Sequence, residues 1–216
     1  MNLISRVQAI LLNPRATWPL IEQEAATTNS IYNPYVLVLA AIPAVAGFIG
    51  LTLVGIDTMG VRFRMPVVNG VVNMVLSYVL SLAMVWLMAR LTDAVAPTFG
   101  GTPDKVQSLK LIAYASTAAW VGGIFSLLPA LSVLGILAAL YSVYLLYTGL
   151  PVLMKNPPEK SLAYTAVLVV GGLVAGVVLA AVSALFMPRM GGLVVGASDV
   201  QTELVWRVPA ARVAQA

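Results

Sequence analysis

Residues 109–150 read LKLIAYASTAAWVGGIFSLLPALSVLGILAALYSVYLLYTGL, with Lys110 the only charged side chain in the stretch. At about 1.5 Å per residue a single helix of this length would be roughly twice the thickness of a bilayer's hydrocarbon core. The segment must therefore fold back on itself. Leu128-Pro129-Ala130 is the one place suited to a turn, because proline cannot donate into a continuing helix. A helix over 109–128 and a second over 131–150 follow, each the length of a membrane span.

Working outward, three more apolar stretches have the same character. Tyr35 to Ile56 carries no charge and holds Pro43, where a bend rather than a break is expected. Val67 to Ala89 is stopped by Arg90, Thr92 and Asp93, and Leu162 to Met187 by Pro188-Arg189. The connections are short. Asp57 to Pro66 holds Arg62 and Arg64, Lys155 to Ser161 is a polar turn, and Ala94 to Ser108 is the longest internal link. Within that link Thr102 is expected as the N-cap of the third span, with Pro103 at its first position and Asp104 beside its positive end.

The expected fold class is thus an all-α integral membrane protein, a bundle of five transmembrane helices (35–56, 67–89, 109–128, 131–150 and 162–187) with an amphipathic interfacial helix at its amino end. Residues 1–34 form that amino-terminal segment and 188–216 a weakly ordered tail in which Leu204, Val205 and Trp206 touch the membrane surface. In the segment, Leu3, Ile4, Val7, Ile10 and Leu11 fall at helical spacing, with Ser5, Arg6 and Gln8 opposite. Arg6 and Gln8 interrupt the apolar run and no small-residue cleavage site follows, so it reads as retained in the interface rather than as a signal peptide. Asn13-Pro14 ends the helix, and a second is expected from Thr17.

Composition excludes much chemistry. The 216 residues are 60% hydrophobic and 9% charged, with no Cys and no His, and a mean hydropathy of +0.95. Soluble domains carry about 25% charged residues. Without cysteine there is no disulfide framework, thiolate nucleophile or zinc–thiolate site. Without histidine the usual general base and metal ligand are missing, and a Ser-His-Asp triad cannot be built. No catalytic, cofactor or metal residues are therefore assigned. The twelve Lys and Arg are scattered without a basic block, so nucleic acid is not a partner. Their distribution instead sets topology. With the amino end inside, Arg6, Arg15, Arg90, Lys105, Lys110, Lys155 and Lys160 share one side, against Arg62, Arg64, Arg189, Arg207 and Arg212 on the other. The excess predicts a cytoplasmic amino end. Tyr35, Trp86, Tyr114, Tyr144, Tyr147 and Tyr164 gather near span ends on that same side.

Three constellations are candidates for function. Asn69, Asn73, Ser77 and Ser81 recur every four residues along the second span, a polar ridge that must meet another helix, a water-filled path or lipid headgroups. Gly172 and Gly176, continued by Ala180 and Ala184, have the GxxxG spacing that lets helices approach closely, either inside the bundle or across a homodimer. Ala46 and Gly50 in the first span are their expected partner. Gly100, Gly101 and Thr102 are assigned as hinge and cap, because no Lys-Ser/Thr follows at P-loop spacing. All acids and bases fall in loops or at span ends, which argues against an ion-coupled carrier. Arg90 and Asp93 can pair at the interface, and Ser108 or Ser161 beside Lys105, Lys110 or Lys160 is the sole remaining nucleophile arrangement.

Taken in order, Ile10-Leu11-Leu12-Asn13-Pro14-Arg15-Ala16-Thr17-Trp18, Phe99-Gly100-Gly101, Leu111-Ile112-Ala113-Tyr114-Ala115-Ser116, the Pro129 hairpin, the Tyr-rich stretch Tyr141 to Leu150 and the Lys155 to Ser161 turn resemble the Yip (Ypt-interacting protein) domain family over residues 5–187. The resemblance implies a non-enzymatic five-span membrane protein. Eukaryotic relatives act in vesicle traffic and contact prenylated small GTPases. This chain lacks their Asp-Leu-Tyr-Gly-Pro segment and large cytosolic amino-terminal region, so it is similar instead to bacterial members, and a GTPase is not the expected partner. The expectation is a scaffold or membrane-organising protein of the plasma (inner) membrane, with the bilayer, a second copy or other membrane proteins as partners. A small channel or carrier for neutral solutes, using the second-span ridge, is the alternative.

Overall fold

The computed structural model describes residues 2–58, 61–128 and 131–186. They form an all-α bundle with five helices long and apolar enough to cross a membrane: Thr28–Val54, Val67–Phe99, Lys105–Leu127, Val133–Leu153 and Pro158–Ala181. Residues 1–181 make one compact unit; the second is 182–216, in which 182–186 are described and helical. The tail from 187, with Leu204, Val205 and Trp206, lies outside the described residues, as do Pro129 and Ala130 of the expected turn.

Helix ends differ from the hydropathy reading because a helix does not stop where apolarity does. The first span begins at Thr28, where Thr27 and Ser30 form a reciprocal capping box, satisfying amides that have no intrahelical partner. The second span continues as α-helix to Val95 and as a 3-10 turn to Phe99. Thr102 is not the N-cap of the third span. Asp104 is, its carboxylate accepting from the Val106 and Gln107 amides at 2.8 and 3.0 Å. The fifth helix opens on Pro158, with Glu159 in its first turn, the pairing that suits a helix amino end. The loop after the first span forms a small antiparallel hairpin, β1 (Ile56–Thr58) on β2 (Val61–Phe63).

Two short helices, α1 (Leu3–Leu12) and α2 (Pro14–Gln23), precede the spans. The second starts at Pro14, not Thr17, since proline's missing N–H costs nothing at a first helical position. Thr17 instead ties the corner, its hydroxyl donating to the carbonyls of Ala9 and Asn13 at 3.0 and 2.7 Å. The hairpin does not lie apart as a free amphipathic segment. It packs lengthwise against the third and fourth spans. Trp18 is fully buried, and its indole N–H reaches Thr148 Oγ1 at 3.1 Å. A side chain on Gly149 would collide with Trp18 and Leu111, so the absence of a Cβ there makes the seat.

The buried core is concentrated at this hairpin end, around Trp18, Leu111, Leu145, Leu150, Tyr164 and Leu168. Toward the opposite end the spans present apolar residues outward, Val68, Leu137 and Val177 among them, as lipid-facing helices do. The third span is broken between Ala115 and Thr117, and the Ala119 amide is taken up by Ser142 Oγ of the fourth span at 2.9 Å.

Candidate functional site

The densest set of polar side chains lies where the hairpin meets the bundle. Helix α2 ends with carbonyls that have no intrahelical donor, and the third span brings Lys110 to them. This lysine is 2% exposed. Its ammonium donates to the carbonyls of Glu24, Ile21 and Glu22 at 2.6, 2.8 and 3.2 Å. All three N–H bonds are thus engaged, at the helix end where the macrodipole favours a cation. One turn earlier, Gln107 Nε2 donates to Glu22 O at 3.1 Å.

Arg6 of α1 is also buried. Its guanidinium pairs with the Glu24 carboxylate and lies 5.8 Å from the centre of the Tyr114 ring. The Tyr114 ring in turn packs against Tyr35, which shares a 2.7 Å hydrogen bond with Thr117. At the rim, Lys155 meets Glu22 at 2.5 Å. Arg6, expected on the polar side of an interfacial helix, and Lys110, at the start of the third span as expected, are both buried. The available signals were a lone lysine inside an apolar run and an arginine breaking an apolar helix face 18 residues before a glutamate.

Phe99, Gly100, Gly101 and Thr102 form a second joint. Gly100 has φ +73°, a left-handed conformation that glycine adopts without penalty. The Thr102 amide donates to Met154 O at 2.7 Å. Phe99 stacks on Tyr164 at 4.9 Å, and the Tyr164 hydroxyl donates to Thr92 O. Nearby, Asn156 Nδ2 donates to Ser161 Oγ at 2.9 Å. The segment therefore joins the second and third spans to the turn between the fourth and fifth.

The remaining candidates fall as follows. Arg90 lies 5.1 Å over the Trp86 ring and forms no ion pair with Asp93 among the described residues. Ser108 donates to Lys105 O while Lys110 is held by α2, so that serine–lysine pair is not assembled. The ridge does not run along one face. A four-residue repeat drifts by about 40° per step on a 3.6-residue helix, so Asn69 has turned about 120° from Ser81. The packed face carries Gly70, Val85, Met88, Ala89 and Thr92. Ser77 bonds back to Met74 O, and Asn69 and Asn73, both half-buried, make no hydrogen bond among the described residues.

Nor do the two small-residue motifs meet. Gly50 presses on the Ser126 backbone with Ala46 buried beside it. Gly172 faces Met88, a methyl on Gly176 would touch nothing within 4 Å, and Ala180 is exposed. An open surface groove of about 350 Å³ between the first and third spans is lined by Val38, Ile42, Val45, Ile49, Ile124 and other apolar residues, and the ridge does not contribute to it. No group of three acidic, Cys or His residues able to hold a metal occurs among the described residues.

A model of the Yip1 domain matches residues 9–194. The chain is 29% identical over 182 residues to Inner membrane protein YohC of Escherichia coli (strain K12), covering 82% of this chain and 93% of that protein. It matches the protein of the same name from Escherichia coli O6:H1 (strain CFT073) to the same extent. No solved structure matches.

Proposed function

The chain belongs to the Yip1 domain family, and from that premise we propose that it is a non-enzymatic, multi-pass protein of a bacterial inner membrane that organises membrane components through protein and lipid contacts. The name of its Escherichia coli relatives supports the location, and the Lys and Arg excess supports a cytoplasmic amino end. One observation carries the reading. Its buried cations join helices, Lys110 through three backbone carbonyls and Arg6 through one nitrogen to Glu24, an architectural use of charge that supports the reading.

Crosslinking in native membranes followed by affinity capture tests the role. Reproducible enrichment of specific membrane proteins is expected, and a monodisperse chain captured alone under several conditions would refute it. A second reading, a pathway for neutral solutes, draws on Asn69 and Asn73, whose amides lack partners among the described residues. Liposome flux abolished by Asn69→Leu and Asn73→Leu would favour it over the first.

A further inference from the structure

The second span itself marks the membrane boundary. From Val67 to Trp86 it rises about 29 Å at ~1.5 Å per residue, the thickness of the hydrocarbon core. Exposed residues along that stretch include Val67, Val68, Val71, Val75 and Val79, and Trp86 is half exposed beneath the Arg90 guanidinium. An exposed tryptophan under an arginine is the signature of the headgroup layer. Tyr144 and Tyr147 of the fourth span are likewise exposed. Beyond Trp86 the spans continue to Phe99 and Leu153, and the α1–α2 hairpin packs along the fourth span from Tyr141 to Lys155.

The hairpin is oriented with its corner toward the bilayer. Glu22, near the carboxyl end of α2, meets Lys155 at the far end of the fourth span. Trp18 sits at Thr148. The corner comes lowest, where the Tyr141 hydroxyl donates to Leu11 O at 2.7 Å and the Tyr141 ring packs 5.6 Å from that of Tyr144. Leu12, at 83% exposure, is among the most exposed large apolar side chains described. Arg15 is exposed two residues past Asn13 and makes no ion pair among the described residues. Three carbonyls at the corner, those of Ala9, Leu11 and Asn13, accept from Thr17 and Tyr141, which suits a place poor in free water.

We propose that the Leu12–Arg15 corner is a lipid-contact element, with Leu12 entering the acyl boundary beside Tyr144 and the Arg15 guanidinium meeting the phosphate of an anionic phospholipid. An apolar side chain beside an arginine at the level of an aromatic belt matches the layered chemistry of that surface. The assignment specifies the lipid contact of the proposed organising role. Its test reads depth and charge, so it stands or falls apart from the capture of protein partners.

The chain contains no cysteine, so Leu12→Cys and Ile4→Cys each accept a single fluorophore. Both sites are exposed, leaving the core untouched. The labelled full chain is placed in phosphatidylcholine vesicles with and without phosphatidylglycerol and quenched by aqueous iodide or by headgroup-level nitroxide lipid. The label at position 12 is expected to be quenched by the nitroxide and shielded from iodide, and that at position 4 to remain open to iodide. Phosphatidylglycerol should raise the lipid-seated fraction at position 12 about fivefold, the weight of one arginine near an anionic surface, and Arg15→Gln should remove the rise. Equal iodide access at both positions overturns the proposal. Shielding without dependence on phosphatidylglycerol or Arg15 overturns the anionic-lipid assignment.

Discussion

Replacing Lys110 by methionine keeps the length and apolar bulk of the side chain but removes the donor that holds α2 to the third span. Three hydrogen bonds at 2.6 to 3.2 Å disappear. Bonds to a charged donor contribute about 1.5–3 kcal/mol each, opposed by several kcal/mol for desolvating a buried ammonium. What survives that cancellation is the cost of stranding carbonyls. Gln107 still serves Glu22 O, leaving those of Ile21 and Glu24 to lose their Lys110 donor at about 1–3 kcal/mol apiece. We expect the hairpin to be destabilised by about 3 kcal/mol, roughly a hundredfold in its opening equilibrium.

Hydrogen exchange on protein in nanodiscs reads this directly, because local opening is resolved segment by segment. Amides of α2 should exchange about a hundred times faster in Lys110→Met, with the second span unchanged. Lys155→Met serves as the control. Its ion pair with Glu22 is 53% and 26% exposed, a setting in which such pairs contribute about 0–1 kcal/mol, so exchange should change less than about fivefold. If Lys110→Met leaves α2 as protected as before, or exposes α2 and the second span equally, the carbonyl-capping argument is wrong.

Gly50→Ala would place a methyl 2.0 Å from Ser126 O and should cost at least about 1–3 kcal/mol by overpacking. Gly176→Ala meets nothing within 4 Å and should be neutral or stabilising by up to about 1 kcal/mol; thermal unfolding in detergent separates the two. Gly149→Val, driven into Trp18 and Leu111, should raise protease sensitivity of the amino-terminal hairpin before that of the spans. Tyr164→Phe removes one of two donors to Thr92 O, which keeps the Ala96 amide, and should lower stability by about 0.5–1.5 kcal/mol, the net contribution of one hydrogen bond, with a melting temperature equal to wild type counting against the bond.

How far the sequence could be read depended on the kind of information each feature carries. The five spans and the Asn13-Pro14 corner were legible because hydropathy and proline act locally. The ridge was half legible. Its spacing and its drift of about 40° per step follow from a single helix, but which face is packed, that of Gly70, Val85, Met88, Ala89 and Thr92, does not. Ala46 and Gly50 were recognised as a close-approach surface, yet their neighbour is the Ser126 corner rather than Gly172 and Gly176. Lys110 reads as a span-end charge, which it is, but nothing local reveals the carbonyls of a helix some 90 residues earlier that hold it.

The residues alone settled that this chain spans lipid as apolar rods, since the contrast between hydrocarbon and water is registered residue by residue along the chain. Which rod touches which was decided in three dimensions. Lipid tails are as apolar as leucine, so helices in a bilayer gain nothing from mere greasiness and choose partners by shape and hydrogen bonding. The seating of Trp18 on Gly149, and of the α2 carbonyls on Lys110, exists only once distant segments have been brought together.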